Sequence, residues 1–186
     1  MPKGNIGKRI AVVVVVVLIL AAVFMVYVGK RGVKEKIPAG EEAVPSETRS
    51  ITLFFARGDA EGVVSESHEV PVRGGVDGQM KAVVEELLRG PDKKEAVSAI
   101  PRGTRVLDLF WNEDRQTVYI DFSQSFVSNH PGGSTAEYFT IDTIIKTIQT
   151  NFPQVRFVQF LVEGYPVETI AGHYAVDKPI ELSKWR

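Results

Sequence analysis

Hydrophobic and polar residues are arranged along this chain in three rhythms, and each predicts a different element. From Ile10 to Val28 there is no alternation at all: IAVVVVVVLILAAVFMVYV is an unbroken apolar run set between Lys8-Arg9 and Lys30-Arg31. A helix of that length, at about 1.5 Å per residue, reaches about 28 Å, close to the roughly 30 Å hydrocarbon core of a bilayer. The run exceeds the h-region of a secretory signal and ends Met25-Val26-Tyr27-Val28-Gly29-Lys30 without a small-x-small site, which favours an uncleaved anchor over a cleaved signal. Residues 1–9 are then a short basic tail and 10–28 a transmembrane signal anchor. Residues 29–48, charged and dotted with Pro38, Gly40 and Pro45, read as a linker.

Beyond the linker the rhythm shortens. RSITLFF (Arg49 to Phe55) is β-branched and aromatic and stops at Gly58-Asp59, which predicts a strand. Val63 to Val72 reads as a second strand, at a sheet edge or meandering, because Pro71 has no N–H to donate to a ladder. Asp77 to Arg89 carries Met80, Val83, Val84, Leu87 and Leu88 at helical spacing. It predicts an amphipathic helix with Asp77 as N-cap, Gly90-Pro91 as its stop, and Glu85 and Glu86 on a solvated face. Arg105 to Trp111 and Thr117 to Phe122 flank a polar turn and predict a hairpin with Val118, Ile120 and Phe122 on one face. After Gly132-Gly133, Ser134-Thr135-Ala136-Glu137 reads as a capping box in which Ser134 caps and Glu137 reaches back.

In the segment from Glu137 to Phe152, two signals conflict. Thr140, Ile141, Thr143, Ile144, Ile145, Thr147, Ile148 and Thr150 are all β-branched, and each disfavours a helix by a few tenths of a kcal/mol. Yet Tyr138, Ile141, Ile145, Ile148 and Phe152 fall on one helical face, and the expectation is a helix in which burial overrides propensity. Val155 to Val162 predicts a central strand covered on both faces, and His173 to Ile180 a last short strand. The order β-β-α-β-β-α-β-(β) implies an α+β domain over 49–186, a mixed or mostly antiparallel sheet with two helices on one face.

Charge narrows the partners. The first 36 residues hold seven of the 22 basic groups and one of the 23 acidic ones, which leaves 15 basic against 22 acidic in the remainder. An acidic domain argues against nucleic acid, whose phosphates are bound by Lys and Arg. The flanks of the apolar run carry nearly equal positive charge, so the positive-inside rule leaves its orientation open. With no cysteine, disulfides, thiolate metal sites and lipid attachment through cysteine are excluded.

Few residues point to chemistry. There is no nucleophile elbow, P-loop, dinucleotide fingerprint or H-E-x-x-H. His68, His130 and His173 lie far apart, none with a second ligand-type residue at i+2 to i+4 on a helix, so neither a metal site nor a cofactor is expected. Gly132, Gly133 and Ser134 offer free N–H groups at a helix start, where a phosphate or carboxylate could sit, although Glu137 would satisfy donors there. Asp121 and Ser123 stand where the second hairpin strand ends.

The ordered series ITLFF, ELLRGP (Glu86 to Pro91), AIPRGT (Ala99 to Thr104), YIDFSQSF (Tyr119 to Phe126), GGS-TAE, IIKTI, VQFLVEG and AGH resembles the GerMN domain of GerM-like sporulation and germination proteins. Gly90, Pro91, Pro101, Gly103, Asp121, Phe122, Ser123, Gly164, Gly172 and His173 match as they stand, over roughly Ile51 to Leu182. The resemblance implies a non-enzymatic extracytoplasmic module behind a single-pass anchor in the cytoplasmic membrane. Its expected partners are the lipid bilayer, through residues 10–28, and an envelope protein or peptidoglycan. The alternative is a binder of a small peptidoglycan-derived or anionic ligand, with Asp121, Ser123, Gly133, Ser134 and His173 as the ligand-binding residues.

Overall fold

A computed structural model describes residues 47–185 together with Leu18, Ile19, Ala21, Ala22, Phe24 and Met25. The chain divides into two units, residues 1–44 and 45–186. The anchor expected over Ile10 to Val28 and the linker expected over 29–48 lie for the most part outside the described residues. The six described positions of the run are helical and exposed, and among the described residues no helix is long and apolar enough to cross a membrane.

The second unit is α+β, as the interleaved rhythms predict. Its strands are β1 (Thr48–Arg57), β2 (Val63–Pro71), β3 (Ala96–Val97), β4 (Val106–Asn112), β5 (Thr117–Phe122), β6 (Phe157–Val162), β7 (Tyr165–Pro166) and β8 (Ile180–Glu181). The helices are α1 (Gly75–Arg89), a single turn α2 (Ser125–Ser128) and α3 (Ser134–Asn151). Among the described residues the strands form two sheets where one was expected: an antiparallel sheet ordered β2-β1-β3, and a mixed sheet ordered β4-β5-β6-β7 with β8 also on β6. In the mixed sheet β5 runs parallel to β6 and antiparallel to β4.

The two sheets stay separate because a helix occupies the edge where they could have merged. Along β1 the N–H groups of Thr52 and Phe54 point away from β2. Asn151 Oδ1 accepts the first at 3.0 Å and Thr147 Oγ1 the second at 3.0 Å. Asn151 Nδ2 also donates to the Thr52 carbonyl at 2.6 Å. Thus α3 offers β1 one amide and one hydroxyl where a neighbouring strand would offer peptide groups, and β3 pairs only with Ala56 and Arg57 beyond it. The free edge of β4 is closed by α1 in the same way: Asp77 accepts the Trp111 N–H at 2.8 Å and Lys81 donates to the Leu107 carbonyl at 3.1 Å. Asp77 is therefore not the N-cap of α1. Gly74 holds that position, and the carboxylate turns to the strand.

One core joins both sheets and both long helices. Ile51, Leu53 and Phe55 of β1 meet Met80, Val83, Val84 and Leu87 of α1, Ile141, Ile144, Ile145 and Ile148 of α3, and the apolar faces of β5 and β6. Phe122, Phe126 and Phe160 cluster within it, the first two rings stacked with centroids 4.3 Å apart. The conflict over Glu137 to Phe152 resolves as helix because α3 is buried nearly all round, from Phe139 to Ile145 without a break. Fully burying side chains of this size contributes about 1.5–3 kcal/mol each, which exceeds a few tenths of unfavourable propensity. The strand expected over His173 to Ile180 shrinks to Ile180–Glu181, since His173 belongs to a loop held by α3.

Candidate functional site

Asp121 and Ser123 mark the point where β5 leaves the mixed sheet beside the end of β6. Asp121 Oδ1 accepts the Gly164 N–H at 2.9 Å. In return Glu163 Oε1 accepts the Gln124 N–H at 2.9 Å. Glu163 and Gly164 both have positive φ, 51° and 84°, so the turn into β7 is tight and the two carboxylates clasp it from either side. Ser123 is buried. Its Oγ accepts the Arg105 N–H at 3.0 Å while its own N–H donates to the Arg105 carbonyl at 2.9 Å. Both residues strap connections across the strand ends.

Gly133, Ser134 and His173 gather around the start of α3, but the capping box is not formed. Gly133, at φ 87°, is the N-cap, and among the described residues no side chain caps the helix. Glu137 is fully buried and faces the other way. Its Oε1 accepts the N–H groups of Ile170 and Ala171, both at 3.0 Å, and its Oε2 accepts the His173 N–H at 2.9 Å and faces His173 Nδ1 at 3.1 Å. Burial alone would raise this carboxyl group's pKa. The backbone donors of Ala171, His173, Tyr174 and Ile170 outweigh that and hold it below the usual carboxylate range. One turn along α3, buried Asp142 accepts from Trp185 Nε1 at 3.0 Å and pairs with Lys146 at 2.8 Å. The Trp185 ring stacks on Tyr138, centroids 5.5 Å apart. Two buried acids of one helix thus bind the C-terminal segment at both ends.

His130 shapes the loop before α3. Its Nδ1 accepts the Gly132 N–H at 3.0 Å, so the ring proton sits on Nε2, which donates to Thr140 Oγ1 at 3.1 Å. The Thr140 hydroxyl passes on to the Ala99 carbonyl at 2.6 Å. Burial pushes the His130 pKa down, in keeping with a neutral ring. Beside this loop lies a cleft of about 580 Å³, lined by Arg57, Val97, Ser98, Gly132, Gly133, Ser134 and neighbours. Of the sequence-predicted residues, Gly133 and Ser134 line it, whereas Asp121, Ser123 and His173 do not.

A second polar cluster went unread in the sequence. His68 lies within β2, with Nδ1 3.0 Å from Glu86 Oε1 and Nε2 3.1 Å from Glu66 Oε2. Glu66 also accepts the N–H groups of Asp92 and Lys93, at 2.9 and 3.2 Å. Burial opposes the charged forms of both His68 and Glu66, but hydrogen bonds prevail: Glu86 and then Glu66 raise the histidine pKa, and the Asp92 N–H, then His68 and the Lys93 N–H, lower that of Glu66. Glu86 is accordingly no part of a solvated face. The available signal was Glu66-x-His68, an i, i+2 pair that a strand places on one side.

Comparison with known proteins places this architecture. A family model described as Germane, sporulation and spore germination, matches residues 52–168. The chain belongs to the Germane family. The Germane fold recurs in the crystal structure described as "Putative Lipoprotein from Clostridium perfringens", 23% identical, covering 72% of this chain and 87% of that one with a TM-score of 0.52. It recurs also in the tandem GerMN domains of the sporulation protein GerM from Bacillus subtilis, 17% identical, covering 77% of this chain with a TM-score of 0.52. This Germane chain spans about half of that tandem protein, 47% of its length. Among curated protein sequences none matches.

Proposed function

We propose that this chain is a membrane-anchored envelope domain, outside the cytoplasmic membrane, that binds a partner protein or the cell wall and performs no reaction of its own. The observation that carries the reading is the use made of its polar side chains. Asp121, Ser123 and His173, the residues best suited to chemistry, are each engaged with the chain's own backbone or with Glu137, and their task is shape. The apolar run from Ile10 to Val28 supplies the attachment, and the likeness to a protein described as a lipoprotein supports the outer side. This sequence has no cysteine to lipidate, which supports the apolar run as the means of attachment.

Alkaline phosphatase fused after Arg186 tests the side: an active fusion is expected, and an inactive one beside an active cytoplasmic reporter refutes it. Sedimentation of the detergent-solubilised chain with purified peptidoglycan, alongside cross-linking in intact cells, tests the partner. Failure of both removes the binding role.

A second reading is favoured by the direction of Glu137. Because its carboxylate serves the 170–173 loop, the helix start at Gly133 and Ser134 has no side-chain acceptor among the described residues, and the adjoining cleft includes Arg57, which is paired with Asp59 at 2.7 Å and would have to share its guanidinium with a ligand. A small anionic ligand, such as a peptidoglycan fragment with a free carboxylate, suits that position. Titration with a muramyl peptide is expected to give weaker binding in Arg57→Ala, and equal binding in the two proteins counts against this cleft.

A further inference from the structure

We propose that Glu66, His68 and Asp92 form a zinc site between β2 and the turn that follows α1. His68 Nε2 lies 3.1 Å from Glu66 Oε2 and 3.9 Å from Asp92 Oδ2, and the three ligand atoms all fall within 4.8 Å of one another. Ligands at zinc bond lengths of about 2.0–2.1 Å stand about 3.3 Å apart in a tetrahedron, so a cation enters with small side-chain adjustments. An imidazole with two carboxylates is a borderline donor set suited to zinc, with a fourth position left for water.

The surroundings are those of a prepared ligand. The His68 side chain is 6% exposed, and its Nδ1 faces Glu86, which is held in turn by Arg89 at 2.7 Å. A carboxylate on the far nitrogen keeps a proton on Nδ1, so that Nε2 is the nitrogen that gives up its proton to the metal. Glu66 is steadied by the N–H groups of Asp92 and Lys93. Asp92, by contrast, is 89% exposed, and the site is approached from its side. Zinc replaces a single proton: the Nε2–H leaves to solvent, its electron pair binds the metal, and nothing is oxidised or reduced. The metal joins the turn after α1 to β2 and offsets the excess of carboxylates over His68 and Arg89.

The test is titration of the EDTA-treated, detergent-solubilised full chain with Zn2+ alone, and in parallel with Co2+ to read the visible d–d band. One equivalent is expected to bind, with a rise in Tm. Asp92→Asn changes an exposed side chain and leaves the fold intact; it is expected to weaken binding at least tenfold. Glu86→Gln is expected to weaken it by about 10–100-fold, as loss of an outer carboxylate does. No binding at millimolar Zn2+ overturns the proposal. So does a zinc affinity unchanged in both variants, which would assign the metal to other surface groups.

Discussion

Replacing Glu137 by Gln keeps the shape of the side chain and removes its charge, and the four donor contacts within 3.1 Å of its oxygens set most of the cost. Two of them, Ile170 N–H and Ala171 N–H, meet one oxygen; His173 N–H and Nδ1 meet the other. The amide keeps one oxygen, and the least costly arrangement leaves it with Ile170 and Ala171. The new NH2 then faces His173. The ring accommodates it by moving its proton to Nε2 so that Nδ1 accepts, but the His173 N–H confronts a donor and goes unpaired. The His173 N–H is part-buried, so leaving it without a partner costs about 1 kcal/mol, the low end for such donors, and the remaining bonds lose the added strength of a charged acceptor. Together these losses come to about 3 kcal/mol. With an m-value of about 2 kcal/mol/M, the urea midpoint should fall by about 1.5 M. Fluorescence of Trp111 and Trp185 reports the transition, and hydrogen exchange at Ile170, Ala171 and His173 shows whether the loop opens before the core. A midpoint within about 0.25 M of the parent, a change of about 0.5 kcal/mol by the same slope, together with undiminished protection of those amides, would refute the latch.

The same carboxylate sets a pH limb. Its folded pKa is depressed, so the unfolded chain binds the proton more readily, and stability falls as pH drops below about 4.5, the ordinary Glu value, towards the folded one; Glu137→Gln should lack this limb in acid titrations followed by circular dichroism. His130 is depressed as well, which adds a loss of stability beginning as pH falls below about 6.5, and His130→Gln should flatten that portion of the curve. Thr147→Val fills the same space without an acceptor for the Phe54 N–H and should cost about 1–3 kcal/mol in urea unfolding; a neutral result would mean that water takes the place of the hydroxyl. Gly133→Ala meets no atom within 4 Å, yet at φ 87°, ψ 142° it should cost about 1–3 kcal/mol through backbone strain alone, and Tm measurements would show it.

The parts of the fold legible in the sequence are those governed by periodicity. Met80, Val83, Val84 and Leu87 mark the buried face of α1 from spacing alone, and Val118, Ile120 and Phe122 mark that of β5. Pro71 allows an edge or a meandering strand, and β2 is the edge strand of its sheet. What escaped is where polar side chains find their partners. Glu137 in S-x-x-E and Asp77 before an apolar stripe carry local helix-start signals, but each has a partner more than 30 residues away, in Ala171 and Trp111. A local motif states what a residue can do nearby, and tertiary contact decides whether it does so. The threonines of α3 looked like a defect of helix propensity for the same reason, because the strand edge that Thr147 serves lies 93 residues earlier. Of the expected site residues, Gly133 and Ser134 share a cleft. Asp121, Ser123 and His173 are tied into separate contacts, since residue type reveals chemistry without revealing who has already claimed it.

The closure of β1 by Thr147 and Asn151 bears on self-association. An uncovered strand edge is a template for another chain, and the segment behind this one, ITLFF, is β-branched, aromatic and uncharged, the composition of a cross-β core. Fraying of the last two turns of α3 would bare the N–H groups of Thr52 and Phe54 together. Those two side chains cover the edge at which such pairing would begin, and variants that weaken them should form thioflavin-binding aggregates under conditions where most of the chain is still folded.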